Sequence, residues 1–273
     1  MARNVISAKL DIIFKKLFTE NEDMLHSFVA SMLDIPPESI KEIKITNTEL
    51  PPETFAGKFS RLDMSLKVDD RLVNVEIQMK NEPDYRDRTL FYWAKLYSSE
   101  LKSGEDYGEL KQTITINIIN FNMFGSDDYH TEVAAVIKGR DEIFSDKFSI
   151  HFFELKKVGK KLNPDNSREL WLQFINADSE EEFEMISQTN VPIMQKAVKV
   201  IYDISEDTRI REIARLREKA FHDEASALKG AKAEGRAEGR AEGRAEERSS
   251  AIRKMKAMGF TDEQIKNIFS DSD

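Results

Sequence analysis

Within the stretch RLDMSLKVDDRLVNVEIQMK, Glu76 and Gln78 stand two residues apart in one alternating run, and Asp63 stands in the run before it. Successive side chains of a strand point to opposite faces, so Glu76 and Gln78 share a face while Val75, Ile77 and Met79 take the other. Asp63 reaches the same side if the two runs pair in an ordinary register. Two carboxylates and the backbone carbonyl of Ile77 make an all-oxygen set suited to Mg²⁺ or Mn²⁺, ions that take few protein ligands and keep several waters. Such an ion lowers the pKa of a bound water and neutralises charge on a phosphate under attack, and the Gln78 amide could hold the attacking water. The same spacing also describes the solvated face of a half-exposed hairpin, and the residues alone leave both readings open.

The elements that must position these groups follow from periodicity. Leu62, Met64, Leu66 and Val68 alternate with polar residues, Asp69 and Asp70 mark a turn, and Leu72, Val73, Val75, Ile77 and Met79 carry the return strand of a hairpin. Ahead of it, Leu10, Phe14 and Leu17 at helical spacing behind Ser7 as N-cap predict a short helix. A second helix over 24–33 is stopped by Pro36 and Pro37, and EIKIT is a strand. The pattern over 84–102 predicts a helix with Leu90, Trp93, Ala94, Tyr97 and Leu101 on one side. TITINIINF, nearly continuous in β-favouring residues, predicts a central strand, and TEVAAVIK and FSIHFFELKKV extend the sheet. The order is that of an α/β core with helices on both faces. From Ser167 onward only helical patterns occur: RELWLQFINA, EEFEMISQ, PIMQKAVKVIYDI and a long run from Asp207 to about Met258. The expected organisation is a core over 1–160, a helical extension over 161–206, a long charged helix over 207–258 and a short helix over 259–273. For that last helix Thr261 is the expected N-cap, with Glu263 near the capping-box position.

A chain of 273 residues has room for one substantial core and a smaller unit. With 40% hydrophobic and 33% charged residues it is a folded protein carrying extra exposed charge. There is no cysteine, which excludes disulfides, thiolate metal sites and a cysteine nucleophile. The start of the chain lacks the apolar core of a signal peptide and no stretch is apolar enough to span a bilayer, so a cytoplasmic protein with no membrane partner is expected. The formal net charge of −9 is unevenly spread: between Arg209 and Lys256, fourteen basic residues face nine acidic ones, a net of +5 that leaves −14 for the remainder. A basic tail of this kind suits DNA, the acidic body or another copy of the chain. Within it AEGR-AEGR-AEGR-AEER repeats with period four, so like charges stand at i, i+4, and Gly235, Gly239 and Gly243 each cost roughly 1 kcal/mol in a helix interior. Self-association through the C-terminal helices and a flexible linker are the two readings of this stretch. His26, His130, His151 and His222 show no metal-binding spacing and are expected to be structural. No Walker loop, dinucleotide fingerprint or nucleophile elbow is present, which disfavours nucleotide hydrolysis, redox chemistry and esterase function.

The order SAKLDIIFKKLF, RLDMSLKV, VNVEIQMK, RTLFYWAKLYSSELKSGEDYGELK and ITINIINFNMF resembles the Rpn family of recombination-promoting nucleases, within the PD-(D/E)XK superfamily. The resemblance covers about the first 160 residues, and the AEG-type tail is also similar. It implies a restriction-endonuclease-like mixed sheet flanked by helices and followed by an α-helical C-terminal region. It further implies Mg²⁺- or Mn²⁺-dependent cleavage of double-stranded DNA, a link to recombination or DNA mobility in bacteria, and a further link to phage defence. By position Asp63 is the motif aspartate, Glu76 the acid, and Gln78 stands where the wider superfamily has lysine. A neutral amide brings no positive charge to the transition state, which also admits a weakly active or inactive DNA-binding module on the same fold. Lys80 is a candidate substitute cation or an ordinary solvent-facing lysine. Asp11 is a further metal ligand from the first helix or simply an acid near a helix start. Arg88, on the helix after the active strand, is a candidate phosphate contact.

Overall fold

A computed structural model of the protein describes residues 5–47, 64–99, 101 and 104–270. Strands β2 (Met64–Val68) and β3 (Arg71–Gln78) form the hairpin that the alternation predicts. Its turn is closed by Asp69 in the left-handed region (φ 51°), a conformation that a short polar side chain tolerates. The Asp69 carboxylate accepts the N–H groups of Lys41 and Glu42, each at 3.0 Å, which ties the turn to the start of β1 (Ile43–Asn47).

The sheet has the order β1-β2-β3-β4-β6-β5, where β4 is Thr113–Ile119, β5 His130–Val136 and β6 Ile143–Glu154. The β1-β2-β3 pairs are antiparallel, β3-β4 and β4-β6 are parallel, and β5 runs antiparallel to β6 at the edge. Every residue of β4 is buried, as a central strand covered on both faces requires. The parallel β3-β4 step is bridged by α3 (Tyr85–Ser99), the crossover helix such a connection needs.

The two faces carry different layers. Val73 and Val75 of β3 and Ile114, Ile116 and Ile118 of β4 share one apolar core with α1 (Asp11–Thr19), α2 (Glu22–Leu33), α4 (Ser167–Asn176), α5 (Glu180–Ser187) and α6 (Pro192–Glu206). An aromatic cluster of Phe14, Phe18, Phe28 and Trp171 sits at its centre. The helices over 161–206, expected as an extension, are thus part of the main core. On the opposite face Tyr85 packs with Ile119, Phe121, Ile150 and Phe152, and Trp93 of α3 lies against them.

Three local expectations shift. Helix α1 begins at Asp11 with Leu10 as N-cap, because the Ser7 hydroxyl donates to Asp178 at 2.7 Å instead of capping the helix. Helix α3 buries Tyr85, Arg88 and Thr89, and Leu90 and Ala94 are exposed. The Trp93 indole N–H donates to the Thr113 carbonyl at 2.8 Å, which fixes the helix rotation on the sheet. The short helix α8 (Asp262–Ser270) has the Thr261 cap, but its capping-box partner is Gln264: Gln264 N–H donates to Thr261 Oγ1 and Thr261 N–H to Gln264 Oε1.

The chain divides into two compact units, 1–214 and 215–273. Helix α7 (Thr208–Ala257) runs without a break through the AEGR repeats, and Ile210 and Ala214 are its buried residues.

Candidate active site

Glu76 lies near the C-terminal end of β3 with its side chain on the α3 face, and it is only 6% exposed. Asn74, two residues earlier and therefore on the same face, donates Nδ2–H to Glu76 Oε1 at 3.4 Å. Across the parallel ladder Glu76 pairs with Asn117, and Asn74 with Thr115. The Asn117 side chain is held at both ends: the Tyr85 hydroxyl donates to its Oδ1 at 3.1 Å, and its Nδ2–H donates to the His151 carbonyl at 3.0 Å. A polar floor of Asn74, Thr115 and Asn117 thus runs beside Glu76 beneath the first turns of α3.

Gln78 ends β3 on the same face, and its Nε2–H donates to the Lys80 carbonyl at 3.0 Å. The Leu72 N–H donates to Gln112 O and the Gln78 carbonyl accepts the Asn120 N–H, so the even-numbered peptides of β3 serve the β4 side. The Ile77 carbonyl is then turned to the β2 side. Asp63, the residue before β2, lies outside the described residues.

The remaining expected site residues are placed differently from one another. Asp11 opens α1, where its Oδ1 accepts the Ile12 N–H at 2.8 Å, in the layer on the Val73–Val75 face. Lys80 stands in a bend past the end of β3, so the alternation that would bring it to the Glu76 face does not extend to it. Arg88 is buried: its Nη1–H donates to Glu82 and its guanidinium lies 4.9 Å over the Tyr85 ring. This is the residue that the sequence offered as a candidate phosphate contact.

Asn74 and Thr115 were missed, strand residues whose alternation with Glu76 and Asn117 was the available signal.

Among the described residues no three His, Cys, Asp or Glu side chains converge in a way that holds a metal. The groups around Glu76 nonetheless fit a hard divalent ion as part of a ligand set. They offer a carboxylate and the Ile77 carbonyl, with Asn74 Oδ1 beside them as a buried acceptor that has no hydrogen-bond partner among the described residues.

A second polar cluster lies on β5 and β6. Glu132 can only accept, so the Ser149 hydroxyl donates to it at 2.9 Å, His151 Nε2–H donates to Ser149 Oγ at 2.9 Å, and His130 Nε2–H donates to His151 Nδ1 at 3.0 Å. Burial, with Arg168 and His151 adding to it, pushes His130 down to about 4. Burial also lowers His151, opposed by Glu132. Both rings are neutral at pH 7 and hold the hairpin together.

Among the described residues no helix is long and apolar enough to cross a membrane. A family model described as PD-(D/E)XK nuclease family transposase matches residues 8–231. Neither the curated proteins nor the solved structures gave a match.

Proposed function

From the membership of this chain in the PD-(D/E)XK nuclease family transposases, we propose that it is a divalent-cation-dependent DNA endonuclease that hydrolyses phosphodiester bonds. The observation that carries this reading is the buried Glu76 carboxylate, aimed from β3 onto a polar floor and sharing its face with Gln78. Glu76, the Ile77 carbonyl and Asp63 are the residues that would hold Mg²⁺ or Mn²⁺; Asp11, in the layer on the opposite sheet face, is left out of this set. The bound ion supplies charge neutralisation at the phosphate and a water of lowered pKa. Asn74 occupies one carboxylate oxygen of Glu76 and so orients the group. Gln78 positions the nucleophilic water by hydrogen bonding. DNA is the substrate, and the biological setting is recombination or DNA mobility in the bacterial cytoplasm, with phage defence a further role. The tail assembles copies of the chain and brings its net positive charge to the phosphate backbone.

Incubation of the pure protein with supercoiled plasmid and Mn²⁺ tests the assignment. Asp63→Ala and Glu76→Ala should each lower nicking on the order of 100-fold or more, as loss of a charge-stabilising group does. Cutting that survives both substitutions would sink the reading. A second reading, DNA binding without cleavage, is favoured by one observation: the neutral Gln78 amide is engaged with the Lys80 carbonyl. Salt-sensitive DNA binding with no cation-dependent nicking would select it.

A further inference from the structure

The polar floor beside Glu76 contains a feature that the proposed ligand set leaves unexplained. Asn74 and Thr115 are 5% and 0% exposed, yet Asn74 Oδ1 and Thr115 Oγ1 have no hydrogen-bond partner among the described residues. The two residues are register partners on adjacent parallel strands, so both side chains leave the same face of the sheet. Asn74 is also the residue whose Nδ2–H reaches Glu76 Oε1. Leaving buried polar atoms without partners is unfavourable, and an apolar residue at either position would fit a buried sheet face. The neighbouring pair shows the ordinary arrangement, since Asn117 has partners for both ends of its amide.

Acceptors that no protein donor serves fit a ligand that brings its own donors. A small divalent cation does so, because it dehydrates reluctantly and carries several strongly polarised waters. We infer that Asn74 and Thr115 are positioning residues whose oxygens accept hydrogen bonds from the water shell of a divalent cation bound at Glu76. The inference rests on the reading of Glu76 as a cation ligand. Asn74 acts twice, holding the Glu76 carboxylate with its N–H and the ion's water with its carbonyl oxygen. Thr115 acts once. Groups that orient a metal's ligands in this indirect way change affinity by roughly 10- to 100-fold when removed.

The test uses the full chain and Mn²⁺ alone as the probe, with binding followed by calorimetry and stability by thermal unfolding without added cation. Asn74→Val should weaken Mn²⁺ binding roughly tenfold or more, and Thr115→Val, which removes one acceptor at constant shape, about threefold. Thr115→Val should keep or raise the melting temperature, since it removes only an unpartnered buried atom, whereas Asn74→Val also takes a donor from the buried Glu76 carboxylate and is judged on affinity. That split between stability and affinity is what residues of merely structural role would not give. Wild-type affinity in both variants, or lower melting temperatures with unchanged affinity, overturns the inference. If Asn74→Val does not fold, Thr115→Val alone decides, with unchanged affinity counting against the inference. Absence of Mn²⁺ binding to the wild-type chain overturns it together with the cation reading of Glu76. Binding that responds as expected in a chain that does not nick plasmid upholds it and removes only the cleavage reading.

Discussion

Gln78 carries the sharpest chemical question at the scale of single residues. Its amide donates to the Lys80 carbonyl and brings no charge to a phosphate. A lysine at this position would supply that charge near Glu76. We therefore expect Gln78→Lys to raise the initial rate of Mn²⁺-dependent plasmid nicking on the order of tenfold at saturating cation, and Gln78→Ala to lower it by a similar factor. A lysine variant slower than wild type would show that the amide is needed for its hydrogen bond rather than tolerated in place of a charge. Glu76 and Gln78 were legible in the sequence because a period of two assigns faces without knowledge of what covers them. Asn74 obeys the same period, but an asparagine in an alternating run looks like any solvated residue until α3 is seen to cover it. The burial of Arg88 was not legible either, since nothing in its spacing shows that Glu82, six residues earlier, takes its guanidinium inward against Tyr85.

Among the elements, the β5-β6 hairpin is held by groups that titrate. The donor chain from His130 through His151 and Ser149 to Glu132 requires neutral imidazoles, with Arg168 and Asp34 the other charges acting on His130. His130 has a folded pKa of about 4 against an ordinary 6.5. Between those values the unfolded chain binds the proton and the folded chain does not, so stability is full above pH 6.5 and is lost as pH falls towards 4. Allowing for a ring that is only half buried, the loss is on the order of 1 to 2 kcal/mol. Urea unfolding at pH 7.0, 5.5 and 4.5 should show that loss in the wild type and a smaller one in His130→Gln. Parallel curves for the two proteins would refute the coupling. At this scale the sequence was a good guide wherever a period ran long enough, as in α4 to α6 and the β2-β3 hairpin. It failed at ends decided by distant partners: Ser7 gave up its expected cap for Asp178, which is 171 residues away.

For the whole molecule the open matter is what stabilises the tail. Helix α7 crosses three AEGR repeats in which like charges stand at i, i+4 and opposite charges at i, i+2, with Arg244 and Glu247 the one i, i+3 pair at their end, so pairing along the helix contributes little. Gly235, Gly239 and Gly243 each cost roughly 1 kcal/mol against alanine. Within this chain the glycines are not required by space, for a Cβ added at any of the three would meet nothing within 4 Å. Retaining three glycines in a helix where alanine fits makes sense if another copy approaches the backbone there. The triple change Gly235→Ala, Gly239→Ala and Gly243→Ala separates the two readings of this stretch. For a helix without a partner it should raise helicity by circular dichroism and leave mass per particle unchanged. For a helix that packs closely on a second copy it should lower the mass measured by light scattering while helicity per chain holds or rises. We expect the latter, with the drop matching that of a chain ended at Ala214, a boundary that keeps the buried Ile210 and Ala214 with the first unit. Unchanged mass in both proteins would return the tail to the linker reading and leave the basic residues between Arg209 and Lys256 to act on DNA from a single chain.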